Sequence, residues 1–144
     1  MRAYNLLLFL FLTLISVLAS SQTKNNKIVL NKTFRTVVGS VCEETSTPQP
    51  CAGYTVFLEL SFKNNFVLVN EKNENACGVR SENKYKTNYS IQGNIVKVEK
   101  LTRYGEPLNI KQFLYTKNSL IGKTSEIDRI EKQYVFEEIK IKKK

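Results

Sequence analysis

The stretch Tyr85-Lys86-Thr87-Asn88-Tyr89-Ser90-Ile91-Gln92-Gly93-Asn94-Ile95-Val96-Lys97-Val98 decides how this chain folds. Tyr85, Thr87, Tyr89 and Ile91 alternate with Lys84, Lys86, Asn88 and Ser90, and Val96 and Val98 alternate with Lys97 and Glu99. A period of two residues places one set of side chains on each face of a β-strand. Gln92-Gly93-Asn94 supplies the turn between the two runs, because Gly and Asn accept the positive φ of a tight hairpin. The stretch therefore reads as an antiparallel hairpin with one apolar face.

The same pattern extends in both directions. Tyr54, Val56, Leu58, Leu60 and Phe62 form an apolar row against Thr55, Glu59 and Ser61, so one face of this strand must be buried. Lys63-Asn64-Asn65 turns the chain and residues 66–70 return as its partner. Ahead of it, residues 33–42 open the series, with Phe34 and Val38 on one face and Val37 and Val41 on the other. Residues 71–79 read as a mostly polar connection and 103–109 as a longer one carrying Gly105 and Pro107. Residues 110–116 and 119–124 form a third hairpin across Lys117-Asn118, and a polar link, 125–132, leads to a last strand over 133–141. No sustained helical period interrupts the series. About eight antiparallel strands in hairpin order predict an all-β, up-and-down barrel, since closure removes exposed sheet edges. A small β-sandwich is the competing arrangement.

At the other end of the chain, Met1 and Arg2 precede an apolar run, residues 6–18, that ends in Ala19-Ser20-Ser21. That is the layout of a secretory signal peptide, and the run is shorter than the roughly 20 apolar residues that span a bilayer. Residues 1–21 are expected to be removed, leaving 22–144 as a single β domain in a periplasm or outside the cell. The residue directly after Ser21 is Gln22 and not a cysteine that could accept a lipid, so no stable membrane insertion is expected after cleavage. The Lys/Asn/Ile-rich composition suggests a bacterial source, in which the sequons at Asn31 and Asn88 are chance.

The 144-residue chain carries 22 basic and 13 acidic residues; without Arg2 the balance is 21 to 13, a formal charge of +8. The lysines are scattered along strands, as at Lys84, Lys86, Lys97 and Lys100, with one cluster at Lys140, Lys142, Lys143 and Lys144. A nucleic-acid binder would interleave basic residues with aromatics that stack bases, so no nucleic-acid partner is expected. Histidine is absent, which removes Ser-His-Asp and Cys-His catalysis and the usual zinc sites. The acidic pairs Glu43-Glu44 and Glu137-Glu138 point to opposite strand faces. Glycines stand singly rather than in phosphate-binding loops. No catalytic residue, metal site or cofactor is expected, and the protein reads as a non-enzyme.

Cys42, Cys51 and Cys77 allow one disulfide and leave one thiol over. Three pairings are possible; the favoured one is Cys42 with Cys51, because Thr47-Pro48-Gln49-Pro50 forms a stiff loop between them, and Cys77 could instead pair with Cys51.

The run Tyr89-Ser90-Ile91-Gln92-Gly93-Asn94-Ile95-Val96-Lys97-Val98, residues 113–122 and Tyr134-Val135-Phe136 resemble the strand-turn-strand repeats of small exported bacterial lipocalin-like proteins. The Gly-x-Trp signature of true lipocalins is missing, since the chain has no tryptophan. Asn75-Ala76-Cys77-Gly78 resembles META-type domains of bacterial envelope proteins, another small β fold. The lipocalin-like resemblance implies a small apolar ligand inside the barrel, lined by Tyr54, Val56, Leu58, Leu60, Phe62, Tyr85, Tyr89 and Ile91. The same residues could instead fill a solid core. The protein would then be an envelope or secreted interaction module with a partner the sequence does not name. The tyrosines weigh toward a pocket, because buried phenols need hydrogen-bonding partners.

Overall fold

A computed structural model describes residues 28–44, 46, 51–125 and 131–140. Both the expected signal peptide and the Thr47–Pro50 loop lie outside the described residues. The chain forms β1 (Thr33–Val41), β2 (Tyr54–Phe62), β3 (Val67–Asn75), β4 (Gly78–Thr87), β5 (Tyr89–Gln92), β6 (Ile95–Val98), β7 (Thr102–Arg103), β8 (Glu106–Pro107), β9 (Ile110–Thr116), β10 (Ser119–Ser125) and β11 (Glu131–Ile139). Nine strands make one antiparallel sheet in the order β4-β3-β2-β1-β11-β10-β9-β6-β5, and β7 pairs with β8. Its two edge strands, β4 and β5, are separated in the chain only by Asn88. One run of chain therefore supplies both edges, and the nine-stranded sheet curls round as an up-and-down half-barrel.

The interior follows from the period-two rows. Phe34, Phe62, Phe113 and Phe136 are wholly buried with Val56, Leu58, Leu60, Val67, Val69 and Leu120. Their rings meet edge to face, with centroids 5.8 Å apart for Phe34–Phe62 and 5.3 Å for Phe113–Phe136, the arrangement favoured by the ring quadrupoles. A bulge between Val37 and Gly39 resets β1, so that Val38 is buried and Val41 pairs with Tyr54.

Two sequence expectations need correction. Residues 71–79 are strand and turn rather than a connection: β3 runs on to Asn75 and pairs along its length with β4. This hairpin has no outward apolar row to advertise it. Its outer face joins a lattice of ion pairs: Glu59, itself buried, meets Lys72 at 3.0 Å and Arg35 at 3.6 Å. Arg35 also meets Glu74 at 2.6 Å, and Lys72 meets Glu82 at 3.8 Å.

The disulfide joins Cys51 to Cys77, with Cα atoms 5.6 Å apart, and leaves Cys42 exposed and free; the favoured pairing of Cys42 with Cys51 is wrong. Register explains the choice. Thr55 pairs with Glu74, which sets the β3–β4 turn beside the start of β2. Asn75 donates to the Cys51 carbonyl at 2.8 Å, and the Cys77 N–H donates to the Asn75 side chain at 2.9 Å.

Lys32 locks the seam where the first strand meets the last. Its ammonium donates to Glu138 on β11 at 2.8 Å and to the Tyr115 hydroxyl on β9 at 2.9 Å, and the bond to Glu138 raises its pKa above the usual 10.5. Burial likewise raises the Tyr89 and Tyr104 phenols above 10.0. In each case the folded state holds its proton more tightly than the unfolded chain, so this stability is complete below the ordinary pKa and is lost as pH rises through the raised one. The thermal midpoint is expected to fall once pH passes about 10, and to fall less steeply in Lys32→Met. A flat midpoint through that window in the parent protein would contradict the assignment.

Candidate functional site: a cleft where the barrel wall parts

The short β6 pairs with β9 only at Ile95↔Leu114 and Val96↔Phe113. Beyond Val98, the last residue of β6 paired with β5, the chain leaves the wall to build the β7–β8 hairpin and returns through Pro107 to Asn109. The hairpin turns on Tyr104 and Gly105, both at positive φ, and reaches across the barrel. The Tyr104 N–H donates to both carboxylate oxygens of the buried Glu71 on β3 at 3.1 Å. Arg103 donates to the Val38 carbonyl and to the Tyr134 hydroxyl, each at 3.3 Å. Gly39 makes room for the Tyr104 phenol: a Cβ there would lie 2.6 Å from its oxygen.

Diversion of the chain into this hairpin leaves the wall parted between β6 and β9. The gap is a cleft of about 690 Å³ lined by Tyr89, Ser90, residues 97–101 and residues 107–111. Its floor is the barrel core itself. Val98, Leu101, Leu108 and Ile110 keep 4–8% of their surface exposed while most core residues keep none, so the core is reached from this side. The Leu108 N–H donates to the Leu101 carbonyl at 2.8 Å, which holds the floor in place. Lys97, Lys100 and Lys111 stand on the rim, and none makes an ion pair among the described residues. Glu99, also on the rim, accepts from Asn88 at 2.9 Å.

The eight residues expected to line an interior pocket do gather on the inner face. Val56, Leu58, Leu60 and Phe62 are fully buried, while Tyr54, Tyr85, Tyr89 and Ile91 are half-buried against the same core; Tyr89 alone of the eight also lines the cleft. Two of the three tyrosine hydroxyls among them are already engaged. Tyr89 donates to the Lys63 carbonyl at 2.7 Å, and Tyr85 accepts from the Thr102 N–H at 2.8 Å. Sequence reasoning missed Leu101, Leu108 and Ile110 as a cluster because they flank what reads as a plain connection; the signal available was an apolar pair, Leu101 and Leu108, bracketing a turn.

No protein-family model, no curated protein and no solved structure matches the chain. Among the described residues, no group of three His, Cys, Asp or Glu side chains gathers to hold a metal ion.

Proposed function

We propose that this is an exported, non-catalytic binding module of lipocalin-like architecture that takes a small amphipathic ligand in the cleft between β6 and β9. The observation that carries the reading is the cleft: its volume of about 690 Å³ lies in the usual range for small-molecule sites, and its floor is apolar core. The ligand's apolar part lies on Val98, Leu101, Leu108 and Ile110, and its polar end faces the lysine rim. The Cys51–Cys77 disulfide fits an oxidising compartment, and the signal-like residues 1–21 support export.

The test is an NMR titration with n-decanol, a neutral amphiphile. Saturable shifts are expected in the amides of residues 97–101 and 108–111. Ser90→Trp, on the exposed rim, is expected to weaken binding by about tenfold, a loss of about 1.4 kcal/mol. Shifts scattered over the surface, or none, would contradict the site. A second reading, a solid-core protein-interaction module, is favoured by the ring-packed interior, where Phe34, Phe62, Phe113 and Phe136 are fully buried.

A further inference from the structure

The outer wall carries a row of aliphatic side chains in register. Ile95 pairs with Leu114, Leu114 with Ile121, and Ile121 with Val135, alternating with the inward Val96 and Phe113. Because Arg35 pairs with Glu137, Val37 stands beside Val135 and continues the row onto β1. Leu114, Val135 and Val37 are 39%, 41% and 51% exposed. At the far end the row is closed, since the Arg35 guanidinium lies over the Phe57 ring at 3.7 Å. Across neighbouring strands spaced about 4.8 Å apart, five such residues make a ridge roughly 20 Å long. One flank holds Lys97, Gln112, Lys123, which is paired with Glu131 at 2.9 Å, and Gln133, with Lys111 beside them; the other holds Thr116, Ser119, Glu137 and Arg35. A depression of about 510 Å³, walled by Ile95, Leu114 and Ile121, opens beside the ridge.

We infer that this face docks side-on to an anionic phospholipid leaflet. The ridge is purely aliphatic and one residue wide on a convex wall, whereas protein interfaces anchor on Trp, Tyr and Arg in pockets. A second copy is disfavoured by charge, since each chain without Arg2 carries a formal +8 and lysines would face lysines. An anionic leaflet answers both features, taking aliphatic side chains at the acyl boundary and lysines at the headgroups. The depression beside Ile95 gives a lipid chain a place to lie. This docking is independent of the ligand cleft, although Asn109 and Lys111 line both depressions.

The experiment is co-sedimentation of the protein, purified from the exported fraction, with vesicles of phosphatidylglycerol and phosphatidylcholine or of phosphatidylcholine alone. Partition is expected to be at least about tenfold stronger on the anionic vesicles and to weaken with salt. Leu114→Gln with Val135→Gln, both exposed sites, is expected to cut it about fivefold or more at low and high salt. Val79→Gln, an equally exposed residue on β4, leaves it unchanged, and thermal unfolding confirms that each variant folds. No partition into anionic vesicles would overturn the inference. So would parent-like partition of the double variant, which would assign binding to charge alone. Self-association that the double variant abolishes, without vesicle binding, would assign the ridge to a second copy and overturn it as well.

Discussion

Phe136→Ala is expected to destabilise the barrel by about 3–5 kcal/mol, the usual loss for truncating a buried aromatic ring. Phe136 is fully buried, pairs with Leu120 across β10 and β11, and meets Phe113 edge to face at 5.3 Å. The hole cannot collapse easily, because the surrounding strands are held at fixed spacing by their hydrogen-bond ladders on both sides. Urea unfolding measures the loss as a lower midpoint at constant slope. A change below about 1 kcal/mol would mean that the ring packs loosely and that the interior is not the solid core described above.

Cys51→Ala is the second large effect, with an expected loss of about 3–4 kcal/mol from releasing a 26-residue separation in the unfolded chain. The bridge also pins the β3–β4 turn to the entry of β2 through Asn75. Cys42→Ala is expected to cost almost nothing, since Cys42 is exposed and free. The contrast between the two variants, read by thermal unfolding, separates the observed pairing from the one between Cys42 and Cys51. Alkylation of the unreduced protein is expected to label one thiol, at Cys42; label on Cys51 or Cys77 would contradict the pairing.

How much of this was legible in the sequence depends on what each segment shows to water. β2 was readable because Tyr54, Val56, Leu58, Leu60 and Phe62 form an unbroken apolar row, with Phe57 the one apolar residue on the opposite side. The β3–β4 hairpin was not. Its outer face is stabilised by ion pairs among Arg35, Glu59, Lys72 and Glu74, and such a strand looks like a polar loop when only hydrophobicity is counted. The barrel-like curl followed from strand number and hairpin order, yet no periodicity marks that β4 and β5, joined only through Asn88, form the two edges. The cleft was hidden for a related reason. It exists because β6 is short and the chain turns back at Tyr104 and Gly105, a tertiary event held by Glu71, Val38 and Tyr134 from elsewhere in the chain. The disulfide was misread because loop length favoured the nearer cysteine, whereas strand register decided the partner.

The β7–β8 hairpin connects these features. By reaching to Glu71, Val38 and Tyr134 it ties one end of the barrel together, and by leaving the wall it opens the cleft to the core. Structure and proposed site thus share one cause, the course of residues 101–108 across the end of the barrel. Ligand binding at this place would couple to the hairpin, since Leu101 and Leu108 belong both to the floor and to the hairpin's base.

Native mass spectrometry of the protein, purified without detergent and compared before and after denaturation and refolding, tests the proposed ligand site most directly. The expected result is an added mass of a few hundred daltons that disappears on denaturation and is absent from Ser90→Trp. A bare mass across repeated preparations, with no decanol shifts at the cleft, would contradict the binding module and leave the solid-core interaction protein in its place.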